Sequence, residues 1–108
     1  MTIKELESFS RVLMDISNPK YKGLFVFTSE KELNYLVDVI REVCLKFSAQ
    51  FSRKERLITF PSGASLQLVV IETSRDCEKL FGKVFSDWDS FRLLPMGIES
   101  FINQIVRR

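Results

Sequence analysis

The chain contains no histidine. Without an imidazole there is no Ser-His or Cys-His nucleophile pair, and the commonest metal ligand of proteins is missing. Cysteine is nearly as scarce. Cys44 and Cys77 are too few and too widely spaced for a disulfide framework or a four-ligand zinc site. Each lies among apolar or amphipathic neighbours, so both are expected as reduced, packed thiols. No apolar run approaches the length that a membrane-crossing helix needs, so no membrane partner is expected. The opening MTIKELESFS is charged and lacks the apolar segment of a secretory signal, which points to a cytoplasmic location. A strong charge bias is absent too. Sixteen basic residues against fourteen acidic leave +2, which neither demands nor forbids a nucleic-acid partner. Local clustering, rather than the total, sets the field at a binding surface.

What is present is apolar bulk: 45% apolar residues, ten of them phenylalanine, in 108 positions. That is enough for one core, and residues 1–108 read as a single domain. Thr2 and Glu5 form a capping box before a stripe of Ile3, Leu6, Phe9, Leu13 and Ile16, predicting a helix from about Thr2 to Ile16. SNPKYKG is a loop by its Asn-Pro and closing glycine, and LFVFT, Leu24–Thr28, is a buried strand. Ser29 and Glu32 make a second capping box. It opens a long amphipathic helix whose apolar face carries Leu33, Leu36, Val37, Ile40, Val43, Cys44 and Phe47. Tyr35 and Val39 widen that apolar arc, which is either core packing or a self-association surface.

RKERLITFPSGASLQLVVIE predicts a hairpin with arms Leu57–Phe60 and Ser65–Ile71, turning at Gly63 with a positive φ. Along the second arm, Leu66, Leu68 and Val70 face one way, while Val69 and Ile71 make the other face apolar as well. Thr73–Gly82 suggests a short helix or crossover ending at the glycine. KVFSDW is a strand candidate, DSFRLLP a connection, and a last helix follows Pro95 with a stripe of Ile98, Phe101, Ile102, Ile105 and Val106. Arg107 and Arg108 at its end suit the helix dipole. The expectation is an α/β fold: a mixed four- or five-stranded sheet with a β-hairpin, packed by about three main helices.

Residues with chemistry are few. Asp87 and Asp89 are the nearest approach to paired carboxylates, without a third ligand beside them for a metal. Gly82-Lys83 is the only Gly-Lys pair, but Cys77 stands where a phosphate-binding loop needs its first glycine and Val84 where it needs Ser or Thr. No catalytic residue, metal ligand or cofactor is therefore assigned. The basic residues are the remaining candidates. Lys20 and Lys22 precede the first strand, Arg53, Lys54 and Arg56 precede the hairpin, and Arg75, Lys79 and Lys83 fall in the crossover. Gathered at one edge, they would contact phosphates, with Tyr21, Phe51 and Trp88 as stacking surfaces. The plainer alternative is a mixed-charge surface, since Glu55, Asp76 and Glu78 interleave with them.

The order of LFVFTS, a helix, ERLITFPSGASLQLVVIE and LFGKVFSDWD resembles the centre of the phage terminase large-subunit ATPase and related helicase-like motors. The hairpin residues Ile58, Thr59, Phe60, Pro61, Ser62, Gly63 and Ser65 follow that family's pattern, and Leu80 and Gly82 fall near its next element. The likeness spans about Leu24 to Asp89. It implies a shortened relative, phage- or mobile-element-encoded and placed in a host's cytoplasm. The phosphate-binding loop is missing, and Asp87 or Asp89 stands without the glutamate that would complete the magnesium pair. No catalytic role carries over. The first expectation is a non-catalytic protein-binding or regulatory module, with a protein partner or self-association. The second is a nucleic-acid-associated accessory protein using the basic loop edge, and the third is a fragment of an ATPase motor.

Overall fold

The computed structural model describes residues 13–106. Most of the helix expected at the start, and Arg107 and Arg108 at the end, lie outside that range. Leu13 and Ile16 are half-buried within a run of turns and pack on the core.

Five strands form one mixed sheet. They are β1 (Lys22–Phe27), β2 (Gln50–Ser52), β3 (Leu57–Thr59), β4 (Ser65–Val70) and β5 (Asp87–Ser90). Their spatial order is β2-β3-β4-β1-β5. β1 lies inside the sheet and is parallel to both neighbours, pairing Phe25 with Leu68 of β4 and with Asp89 of β5. β3 runs antiparallel to β4, and β2 antiparallel to β3. A strand with parallel neighbours and helices on both faces must be apolar on both faces. Accordingly Gly23 to Phe27 are all buried.

The two faces carry separate cores. Phe25, Phe27, Ile58, Leu66, Leu68 and Val70 meet Leu33 of α1 (Glu30–Tyr35), Ile40 of α2 (Val37–Lys46) and Leu36 between the two helices. On the opposite face, Leu24, Val26, Val69 and Ile71 meet Cys77 and Leu80 of a 3-10 helix, Ser74–Leu80. Ile98 and Ile102 of α3 (Met96–Ile105) join them there. Each fully buried Phe or Leu side chain contributes roughly 1.5–3 kcal/mol. Helices thus cover both faces, and the alternation predicted along β4 is the one observed.

Several boundaries differ from the sequence reading. The long helix after Ser29 is broken at Leu36, whose N–H bonds to Leu33 O, three residues back, at 3.0 Å. Asn34, Tyr35, Val37, Val39 and Ile40 are weak helix formers, so burial of Leu36 decides the local geometry there. Ser29 Oγ accepts from Glu32 N–H as a cap should, but the Glu32 carboxylate reaches Thr28 instead of closing the box. β2 was not anticipated. β5 takes only the last two residues of the strand candidate KVFSDW and extends through Asp89 and Ser90 of the expected connection, because its pairing with Gly23–Val26 outweighs the poor strand propensity of aspartate. The hairpin turns as expected: Gly63 has φ +98°, and Phe60 N–H bonds to Ala64 O at 2.9 Å.

Candidate functional site

Chain direction fixes where open space forms. The segment after β1 passes to the face of α1 and α2, whereas the segment after β4 passes to the face of the 3-10 helix. Where neighbouring parallel strands send their connections to opposite faces, a crevice opens beyond their carboxyl ends. A second local cause adds to it. β3 has three residues against the six of β4, so its pairing stops at Gln67 and leaves Leu68–Val70 without a strand on that side.

A cleft of about 270 Å³ occupies this place, with Leu68, Val69 and Val70 among its walls. Four of the eight cations singled out in the sequence line it: Lys54, Arg56, Lys79 and Lys83. They come from two separate segments. Lys54 and Arg56 belong to the turn at 53–56, while Lys79 and Lys83 come from the 3-10 helix and the turn after it. Glu30 and Glu55 are the carboxylates in the lining.

The backbone around Arg56 is tightly specified. Arg56 has φ +53°, a left-handed conformation unfavourable for a residue with a side chain. Its carbonyl accepts from Leu68 N–H at 2.8 Å and from the Gln67 carboxamide at 3.0 Å, and the same carboxamide lies 2.8 Å from Glu55 O. Its guanidinium meets Glu30 at 2.8 Å. Lys79 Nζ donates to Val70 O at 3.2 Å and lies 3.5 Å from Asp76. Asp76 in turn accepts from the N–H groups of Glu72 and Thr73, which hold its carboxyl below the usual aspartate value, with Lys79 adding to the effect. Lys54 and Lys83 have no ion pair among the described residues.

The other four cations fall elsewhere. Lys20 and Lys22 are at the amino end of β1, separated from the cleft by the strand's length, roughly 17 Å at about 3.3 Å per residue. Arg53 shares the turn with Lys54 without lining the cleft, and Arg75 is exposed on the first turn of the 3-10 helix. The aromatic residues named as stacking surfaces are otherwise engaged. Tyr21 is 4% exposed and Phe51 packs on the first core, while the Trp88 indole N–H donates to Asn103 Oδ1 at 2.9 Å.

A second, larger cleft of about 650 Å³ lies beyond the carboxyl ends of β1 and β5, lined by Thr28, Ser29, Lys31, Tyr35, Phe91 and Arg92, among others. Its frame is Glu32, whose side chain is only 11% exposed and whose carboxylate receives Thr28 N–H at 3.1 Å and Arg92 Nε–H at 2.9 Å. Phe91 is anchored against Phe25, ring centroids 4.6 Å apart. Tyr35, in contrast, is 61% exposed. Sequence reasoning placed Tyr35 beside the apolar stripe and missed this role, because the break at Leu36 and the return of Phe91 are both tertiary facts.

The remaining reactive groups lie apart from both clefts. Asp87 and Asp89 pair with Gly23 and Phe25, on the face where Tyr21 lies. Together with Asp15 they raise the Tyr21 pKa, burial being the larger cause, to about 12. Among the described residues no group of three histidine, cysteine or carboxylate side chains is placed to hold a metal ion. Burial raises both cysteine pKa values, and repulsion from Asp76 adds to that of Cys77. No family model, curated protein or solved structure matches the chain.

Proposed function

We propose that this protein is a non-catalytic module that binds nucleic acid through the cleft at the carboxyl end of β4. The observation that carries it is the meeting of Lys54, Arg56, Lys79 and Lys83 in one cleft. Gathering like charges costs free energy unless something offsets them. Glu30 and Asp76 offset Arg56 and Lys79, while Lys54 and Lys83 are left for an outside anion. A space of about 270 Å³ is smaller than a typical ligand pocket and suits a phosphate group held by several cations.

The test is a salt titration of oligonucleotide binding. Phosphate contact requires affinity to fall linearly with salt on logarithmic axes, and Lys54→Ala and Lys83→Ala should each lower the slope by about one. An affinity for oligonucleotides that does not change with salt, or no binding at low salt, would remove the proposal.

A protein partner is the second reading. It is favoured by Leu93 and Met96, 97% and 84% exposed in the approach to and first turn of α3. Large apolar side chains exposed so close together suit a protein contact. Sedimentation of the purified chain at rising concentration, with and without Leu93→Ser, checks the self-association form of this reading.

A further inference from the structure

The two clefts meet at a single turn of chain. Glu30 lines the smaller one, and its neighbours Ser29 and Lys31 line the larger. Ser29 to Lys31 thus contribute to both linings, which makes the clefts neighbours at the start of α1. The linings also share a sign. Six cations against three carboxylates give an excess of three, more than the +2 of the whole chain. They differ in shape and chemistry. The smaller is lined by four cations, two carboxylates and residues of β4, whereas the larger offers two aromatic rings, a guanidinium and the hydroxyl groups of Thr28 and Ser29.

We propose that the clefts are two subsites of one track for single-stranded nucleic acid. The phosphates lie along Lys54, Arg56, Lys79 and Lys83, and a base turns into the larger cleft against Tyr35 and Arg92. This rests on the function proposed above and adds to it the kind of nucleic acid and the way it is held. A single strand is required because a base paired in a duplex is stacked on its neighbours and cannot enter a side cleft. An unpaired base can be splayed out onto an aromatic ring or a guanidinium plane. Tyr35 supplies the ring, being exposed enough to receive it. Arg92 supplies the plane: its side chain is 75% exposed, and the bond to the nearly buried Glu32 fixes its orientation. Ser29 Oγ already accepts from Glu32 N–H, which leaves its hydroxyl hydrogen to donate to a base edge. Lys31 lines the larger cleft and adjoins Glu30 of the smaller in sequence, so it would meet the phosphate that joins the two subsites.

The experiment compares two labelled oligonucleotides of equal length and charge by fluorescence anisotropy, one of thymidylate and one fully abasic. Stacking of a base on an aromatic side chain predicts roughly 5- to 150-fold tighter binding of the thymidylate strand. Tyr35→Ala should abolish that preference without changing abasic affinity or its salt dependence, and Tyr35→Phe should retain it. Lys54→Ala with Lys83→Ala should weaken both oligonucleotides alike. Equal wild-type affinity for the two strands, with a normal salt slope, overturns the base subsite and leaves the phosphate cleft standing. A preference that survives Tyr35→Ala overturns the assignment of the larger cleft. Failure of both strands to bind removes the function proposed above along with it.

Discussion

The two ends of the parallel strands are built differently. At the amino end, backbone contacts close the structure. Ser65 N–H bonds to Tyr21 O at 3.0 Å, Ser86 N–H to Lys22 O at 2.7 Å, and Lys22 N–H to Ser86 Oγ at 3.0 Å. The Ser62 hydroxyl donates to Ile16 O, fastening the hairpin tip to the preceding segment. At the carboxyl end the connections diverge, β3 stops short, and charged side chains from separate segments face two clefts. One end is held by main-chain bonds and buried side chains; the other is lined by charged side chains, of which Arg56, Lys79 and Arg92 are ion-paired and Lys54 and Lys83 are not, among the described residues. Substitutions at the first should therefore change stability, and substitutions of the two unpaired cations at the second should change binding.

The hardest test of that contrast is Gly23→Ala. A Cβ there would lie 2.7 Å from the Tyr21 hydroxyl and 3.0 Å from Leu66 Cδ1, inside a buried strand. Overpacking of this kind costs about 1–3 kcal/mol, which urea unfolding would read as a lower midpoint. A midpoint equal to wild type would show that the amino end has slack. Next comes alkali. Burial, with Asp87, Asp15 and Asp89 nearby, pushes the Tyr21 pKa up from the ordinary tyrosine value of 10.0 to about 12, so the folded state favours its neutral form. That stability is full below pH 10 and is lost as pH climbs through about 12. Tyr21→Phe should flatten this part of the stability–pH curve.

Smaller effects belong to the carboxyl end. Ser29→Ala removes the cap on Glu32 N–H and should cost about 0.5–2 kcal/mol, read by the same unfolding curve. Lys54→Ala and Lys83→Ala should each move stability by less than about 0.5 kcal/mol while lowering the salt slope of binding. If these two substitutions unfolded the chain, the division between a closed end and a receptive end would fail.

Much of the fold could be read from residue order because its signals are local or periodic. Leu66, Leu68 and Val70 alternate with Val69 and Ile71 on facts of strand geometry alone, and Gly63 supplies the turn conformation itself. The stripe of Ile98 and Ile102 is likewise set by helical period. β2 escaped because Gln50–Ser52 is three residues long and its register exists only in its pairing with β3. β5 escaped in part because Asp87 and Asp89 disfavour a strand until β1 stands beside them. The same limit governs the site. Sequence proximity could suggest that Lys54 belongs with Arg56 and Lys79 with Lys83. Only the crossover places those pairs around one cleft and sends Lys20 and Lys22 to the far end.

Arg56 is set against the preference of its own backbone, and that has an evolutionary consequence. Glycine at this position would relax the left-handed conformation and keep the carbonyl bonds to Leu68 and Gln67. A library of variants sorted for heat resistance alone should therefore drift to Arg56→Gly, giving up only an ion pair that is partly exposed on both sides. One sorted for oligonucleotide capture should hold the arginine, so the two selections would part company at this codon.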